Sequence, residues 1–456
     1  MTNLILYVTF ISLLAIQHSM SATTGVCKAQ TTCQQCAYQN TGAETDRCRW
    51  CPLTRRCHDY GSNDNPCPPE LDIGEQSDCP AVSSFAYNST AAFHHVLLSA
   101  VAYSEHPDKC MQKIREIEPR FDYEIFDDNF IAERCDDFFF DYKVCVAMIM
   151  ISHANKEIVI TYRGTSQNVQ LLDEALVALI KKQRFGLGNV HAYFLNGFKK
   201  LQRCAIERLL TMIEMHKDYS VTVSGHSLGG AMASIMSMHV REKRMVFQDR
   251  VKLYTYGQPR TGDKTYAVEH DKLVPNSWRI VHQRDIVPHV PPCWPKCDRG
   301  GATTSYHHGM EIFYDSDSME DHSDYVQCQA NHDRACSRKY TQFFSREFFK
   351  PWKWYNGYLD HVNYFDIPVG SYCESLLGYS RRRRRSIGEA LHDQLPSNNC
   401  TTLYRLNDTN TWVSRIQVSP TQPTTSVTNS ASYQAQPLLC IGLLPAFISY
   451  GAKQIF

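Results

Sequence analysis

The sequence predicts an α/β fold with a small crosslinked module in front of it, and three observations carry that prediction. From about residue 85 to 375, short β-branched runs alternate with helix-patterned segments, the signature of a sheet covered by helices. A serine set between glycines joins one such run to an alanine- and methionine-rich helix. Eight of the nineteen cysteines crowd between Cys27 and Cys79. The 456 residues are 43% hydrophobic and 21% charged, enough apolar material for a sizeable core. Lys plus Arg equals Asp plus Glu at 47 each, so there is no basic field for a nucleic-acid partner.

Residues 1–21 read as a secretory signal peptide. Leu4 to Ile16 is mostly apolar and too short to anchor in a bilayer, and the small residues Ser19 and Ser21 precede Ala22. Residues 27–80 follow as a separate module. They lack apolar periodicity and are rich in Cys, Asp, Asn and Pro, so only crosslinks can hold them together. Cys33-x2-Cys36 and Cys48-x2-Cys51 have zinc-like spacing, but in an oxidising compartment such cysteines are expected to pair as disulfides. Sequons at Asn88, Asn399 and Asn407 agree with a secreted, extracellular glycoprotein.

In residues 85–375, Val144 to Ile151, Ile158 to Tyr162, Val221 to Ser224, Val251 to Tyr256 and Trp278 to Val281 are the expected strands. Gly197 to His216 is an expected helix, and Leu171 to Leu179 a short amphipathic one. Residues 376–456 change character. Arg381 to Arg385 is a run of five arginines, followed by Ser-, Thr-, Asn- and Pro-rich sequence that is expected to be disordered. The arginine run reads equally as a cleavage site for a basic-specific protease, a patch for anionic surfaces or a solvated charge cluster.

The chemistry begins at Val221-Thr-Val-Ser-Gly-His-Ser-Leu-Gly-Gly230, which reads as a nucleophile elbow. A strand reversing sharply into a helix holds Ser227 in a strained conformation, and Gly225 and Gly229 remove the side chains that would collide around His226 and Leu228. A serine hydroxyl is a poor nucleophile near neutral pH, so a base must take its proton and a buried acid must orient that base. Asp285, directly after an expected strand, is the acid that stands out. For the base, spacing does not choose among His289, His307, His308, His322, His332 and His361.

A resemblance does choose. Ile160-Thr-Tyr-Arg-Gly-Thr165, Gly225-His-Ser-Leu-Gly-Gly230, Tyr254-Thr-Tyr-Gly-Gln-Pro-Arg-Thr-Gly262, Arg284-Asp-Ile-Val-Pro-His-Val-Pro-Pro292 and Asp360-His-Val-Asn-Tyr-Phe365 occur in the order found in fungal-type class 3 lipases, and the chain resembles that family over about 290 residues. The resemblance implies an α/β-hydrolase fold and a serine ester hydrolase acting on lipid esters, foremost triacylglycerol, without metal or organic cofactor. It implies Ser227 as nucleophile, Asp285 as acid and His361 as base, with the backbone N–H groups of Thr165 and Leu228 in the oxyanion hole and a lid from Ser166 to about Leu179. His307 and His308 of Tyr306-His-His-Gly-Met-Glu311 take a structural part in that family. Asp285 and His361 are 76 positions apart, with Cys293, Cys297, Cys328 and Cys336 between them, so two local disulfides are expected to staple an enlarged loop. Cys48-Arg-Trp-Cys-Pro-Leu-Thr-Arg-Arg-Cys57 resembles the PSI module, a spacer or protein-docking wedge, and secreted nematode lipases have a similar arrangement. The rival functions are phospholipase A1 or another carboxylesterase, and a non-catalytic binding protein on a hydrolase scaffold.

Overall fold

Period-two alternation in the central strands builds the core. In Val144–Ser152, Val146, Met148 and Met150 enter one apolar layer, while Ala147, Ile149 and Ile151 enter the other. A strand apolar on both faces must lie between two covering layers. The computed structural model describes residues 26–38, 48–51, 56–65, 67, 72–79, 83, 85–135, 144–164, 181–292, 304–328, 335–344, 351–379, 401–405 and 412–416. The signal peptide, Thr165 with the lid stretch, Cys293, Cys297, His332, Asn399, Asn407 and Arg381 to Arg385 all lie outside the described residues.

Ten strands form the main sheet: β1 (Glu124–Arg134), β2 (Val144–Ser152), β3 (Glu157–Tyr162), β4 (Ser220–His226), β5 (Val251–Tyr256), β6 (Ser277–His282), β7 (Met310–Tyr314), β8 (Val326–Gln327), β9 (Thr401–Arg405) and β10 (Trp412–Ile416). Their spatial order is β8-β7-β6-β5-β4-β3-β2-β1-β9-β10. The centre from β3 to β7 is parallel and both flanks are antiparallel. The five expected strands all occur, each lengthened by one or two residues at an end or, at Val251–Tyr256, unchanged. One layer, with α1 (Ser89–Val101), packs Leu97, Met148, Tyr254, Trp278 and Tyr364. The other, with α2 (Ala192–Met215) and α3 (Leu228–Glu242), packs Phe198, Leu201, Val221, Val223, Ile235 and Met236.

One expectation needs correction. The stretch 376–456 was expected to be disordered throughout, yet β9 and β10 form a hairpin, and Thr402 of β9 pairs with Ile131 of β1. Trp412-Val-Ser-Arg-Ile416 carries strand-forming aromatic and β-branched residues within an otherwise polar composition; it pairs with β9, and β9 in turn pairs with β1 at the sheet edge.

The N-terminal module is held by the disulfides Cys27–Cys48, Cys33–Cys79, Cys36–Cys57 and Cys51–Cys67, which pair all eight of its cysteines. Its core is those cysteines plus Ala37, Trp50 and Ile73. It meets the sheet region where Lys264 Nζ lies 2.5 Å from Asp78 Oδ1. Elsewhere Cys110–Cys373, Cys135–Cys145 and Cys328–Cys336 are bridged, the last being one of the two staples expected in the enlarged loop.

Candidate active site

The parallel centre of the sheet delivers the site at the C-terminal ends of its strands, where such folds place ligands. Strand β4 ends at His226 and α3 begins at Leu228, so Ser227 alone makes the turn, with φ 59° and ψ −128°. A non-glycine residue there is strained and is held by its surroundings. The Ser227 N–H donates to Tyr256 O at 2.8 Å, tying the turn to β5. A Cβ on Gly225 would strike the Gly229 backbone, and one on Gly229 would strike the Tyr162 carbonyl oxygen. Both glycines therefore have the steric role read from the sequence. Leu228 opens the helix, so its N–H has no acceptor within the helix and is free to face a developing negative charge.

Asp285 follows β6 and His361 closes α5 (Pro351–Val362). The structure brings both to Ser227. Ser227 Oγ lies 2.9 Å from His361 Nε2, and His361 Nδ1 lies 3.0 Å from each Asp285 oxygen. A carboxylate only accepts, so Nδ1 carries the ring proton and Nε2 is left as the acceptor for the serine hydroxyl. All three residues are buried, with Asp285 fully so. Burial pushes the Asp285 carboxyl up. The His361 ring and hydrogen bonds from His361, Tyr364 O–H and Val287 N–H outweigh it, and the group sits below the usual carboxylate range. The Arg284 N–H and Nε both reach Asp360 Oδ2, at 3.0 and 3.3 Å, which pins the acid's loop to the helix of the base.

Three residues at the site had no part assigned from sequence. Tyr364 donates to Asp285 Oδ2 at 2.5 Å. Gly257, at φ 57°, leaves room where a Cβ would come within 2.6 Å of Asp285 Oδ2 and 2.7 Å of His361 Nδ1. Tyr103 O–H lies 3.0 Å from His226 Nδ1, and His226 Nε2 donates to the His361 carbonyl oxygen at 2.8 Å. His226 also stacks on His361, with centroids 4.7 Å apart and planes at 29°. Burial, and then the neighbouring His361, depress the His226 pKa to about 3, so its ring is neutral. Tyr364 and Gly257 stand inside motifs that the sequence displays, but their contacts are visible only in three dimensions.

Among the described residues, the other histidine candidates have partners other than Ser227. His289 is buried, and burial followed by the Arg260 cation lowers it to about 3. His307 Nε2 donates to Pro288 O at 2.6 Å. His308 bonds Ser234 on α3, and His322 is exposed beside Glu320 and Asp321. Among the described residues, three clusters have metal-ligand types close together. Cys27, Cys48 and Cys57, and likewise Cys328 and Cys336 beside Glu311, have their sulfurs locked in disulfides. The third, His270 and Asp271 of α4 (Lys264–Leu273) with His308, meets α3 at Ser234 and Ser237 and not at Ser227.

Comparison with known proteins points to one family. The family model "Lipase (class 3)" matches residues 159–294. A lipase of Caenorhabditis elegans is 30% identical over 301 residues, covering 62% of this chain and 80% of that protein. A lipase of Rhizopus niveus is 29% identical over 226 residues, 49% of this chain and 51% of its own length, so the chain spans about half of that fungal relative. Among solved structures, the lipase of Rhizopus microsporus var. chinensis superposes with a TM-score of 0.50 at 27% identity, covering 64% of this chain and 92% of that one.

Proposed function

Starting from the fact that this chain belongs to the class 3 lipases, α/β-hydrolases that cleave carboxylic esters, we propose that Ser227 is its nucleophile, His361 the base and Asp285 the acid. The observation that carries the assignment is the unbroken hydrogen-bonded line from Ser227 Oγ through both nitrogens of His361 to Asp285. His361 Nε2 takes the hydroxyl proton as Oγ attacks the ester carbonyl carbon. The tetrahedral oxyanion is held by the backbone N–H groups of Leu228 and Thr165. Collapse expels the alcohol, which receives the proton from His361. Water then attacks the acyl-enzyme with His361 again as base, releasing the acid and restoring the serine. Asp285 remains a carboxylate and stabilises the imidazolium.

The substrate we assign is a lipid ester, foremost triacylglycerol, approached beneath a lid formed by the residues after Thr165. The Caenorhabditis elegans and Rhizopus niveus relatives are lipases, which supports that class. We place the protein outside the cytosol, because the seven disulfides among its described residues need an oxidising compartment. The domain plan we propose is a secretory leader over 1–21, a PSI-like docking module over 27–80, the hydrolase over 85–375 and a basic tail beyond. The test is Ser227→Ala assayed on emulsified triacylglycerol, phospholipid and soluble esters. Hydrolysis is expected to fall by roughly 10⁴-fold or more on every ester that the native enzyme cleaves. Equal rates in the two proteins would refute the mechanism, and a native preference for phospholipid would refute the substrate while leaving the triad standing.

A further inference from the structure

The hydroxyl of Tyr103 stands where the base and the backbone leading to the oxyanion hole meet. Tyr103 lies in the turn after α1, and the buried Leu97, Leu98 and Val101 fix that helix in the core. The turn is closed by Tyr103 N–H donating to Ala100 O at 3.1 Å and Ser104 N–H donating to Val101 O at 2.9 Å. The Tyr103 ring packs on the same apolar layer as α1, and its phenol end reaches Nδ1 of His226, 3.0 Å away.

The neighbours fix where each proton lies. His226 is neutral, so its ring has one N–H and one lone pair. The His361 carbonyl oxygen, 2.8 Å from Nε2, can only accept. Nε2 therefore carries the proton, Nδ1 holds the lone pair, and the Tyr103 O–H is the donor to it. The result is one directed chain from the Tyr103 hydroxyl through His226 to the main chain of the base. A donor on Nδ1 draws charge out of the ring and makes Nε2–H a better donor, so the first bond strengthens the second. His226 is also the ring stacked on His361, so a single side chain holds both the carbonyl and the imidazole of the base. The same hydroxyl touches the other half of the site. A Cβ on Gly164 would strike it, would strike the His226 carbonyl oxygen as well, and would come within 3.2 Å of Ser227 Cβ. Gly164 directly precedes Thr165, the oxyanion donor assigned above.

We propose that Tyr103 is a positioning residue for ester hydrolysis: through His226 it holds the main chain and ring of His361 where Nε2 meets Ser227, against the backbone that leads to Thr165. The inference rests on the reading of Ser227, His361 and Asp285 given above, and it adds a residue that stands outside every motif naming them. Phenylalanine in its place keeps the ring in the apolar layer but leaves the buried Nδ1 of His226 without its donor. An unpaired acceptor in a dry site favours any tilt that exposes it, and a tilt of His226 carries its stacking partner with it.

The test compares full-length Tyr103→Phe, His226→Phe and the double variant on a soluble short-chain ester, with Ser227→Ala as the blank. Tyr103→Phe should lower kcat by roughly 3- to 10-fold, the worth of one hydrogen bond, with KM little changed. Because Tyr103 acts through His226, the double variant should match His226→Phe within about twofold instead of losing the product of the two effects. A packing role alone would lower Tm without this coupling in kcat. A Tyr103→Phe enzyme with native kcat, or losses that multiply, overturns this inference and leaves the triad standing. A native protein no faster than Ser227→Ala overturns the triad and the inference with it. The native protein supplies a second readout that needs no change at Tyr103. In histidine-selective 15N spectra at neutral pH, the resonances absent from His226→Phe should show a ring protonated at Nε2 with a hydrogen-bonded Nδ1, and a ring protonated at Nδ1 overturns the inference.

Discussion

Two stacked histidine pairs meet the same helix, and they differ in what their nitrogens touch. At the N-terminus of α3, His226 and His361 have all four ring nitrogens partnered, by Tyr103, the His361 carbonyl, Asp285 and Ser227. Two to three turns along, His270 and His308 have one partnered face each and bare Nδ1 atoms. A closed network fixes each proton's place, which is what directional proton transfer needs, whereas rings bonded at one nitrogen each are placed by that bond and by stacking on one another. Burial alone does not separate the two, since all four rings are buried.

The largest break in the closed network comes from Asp285→Asn. The amide keeps the shape but can donate to His361 Nδ1, which turns the proton onto Nε2 and removes the acceptor for the serine. A fall in kcat of roughly 10⁴-fold is expected, with KM little changed.

Tyr364→Phe is the next step down. It deletes one of the hydrogen bonds to a buried carboxylate, an interaction worth about 1.5 to 3 kcal/mol. That bond favours the charged form of Asp285, so losing it raises the acid's pKa. The acid limb of kcat/KM should then move to higher pH. An unshifted limb would assign Tyr364 to packing alone.

How much of this was legible follows from the kind of signal each feature leaves. Apolar runs announce β2 to β6 because strands buried on both faces have no polar positions to hide them. Strand β1 was not read, since Asp127-Asp128-Asn129 interrupts it where the pairing register shifts between Ile125 and Phe130. The eight clustered cysteines predict crosslinking, but eight can pair in 105 ways, and only the fold picks Cys27–Cys48 and its companions. Ser227, Asp285 and His361 stand in short motifs, so residue type and family order name them. Gly257 is different: its reason is a distance to two groups 28 and 104 residues away. The bare nitrogens of His270 and His308 leave no mark in sequence at all, because a missing hydrogen bond is a property of the packed state.

Acid should expose the cost of buried neutral rings. His226 and His289 titrate at about 3 in the fold and near 6.5 when unfolded. Above pH 6.5 both states are neutral and nothing is lost. As pH falls below 6.5 the unfolded chain takes up protons that the folded chain refuses, so stability declines by about 1.4 kcal/mol per pH unit for each ring until about pH 3. Denaturant melts at pH 7, 6 and 5 check this, and a stability that is flat across that range contradicts it.

The smallest effect tests whether the stacked ring or its hydrogen bond positions the base. His226→Phe keeps an aromatic plane against His361 but loses the Nε2–H bond to the His361 carbonyl, and it leaves Tyr103 O–H without its acceptor. A neutral hydrogen bond contributes about 0.5 to 1.5 kcal/mol, so kcat should fall by roughly 3- to 10-fold. If the bond sets the height of His361 above Ser227, the loss appears in kcat and not in KM, and His226→Gln, which can still donate, recovers part of it. A loss confined to Tm, with kcat unchanged, would mean that the first pair, like the second, serves packing alone, and that only Asp285 and Ser227 position the base.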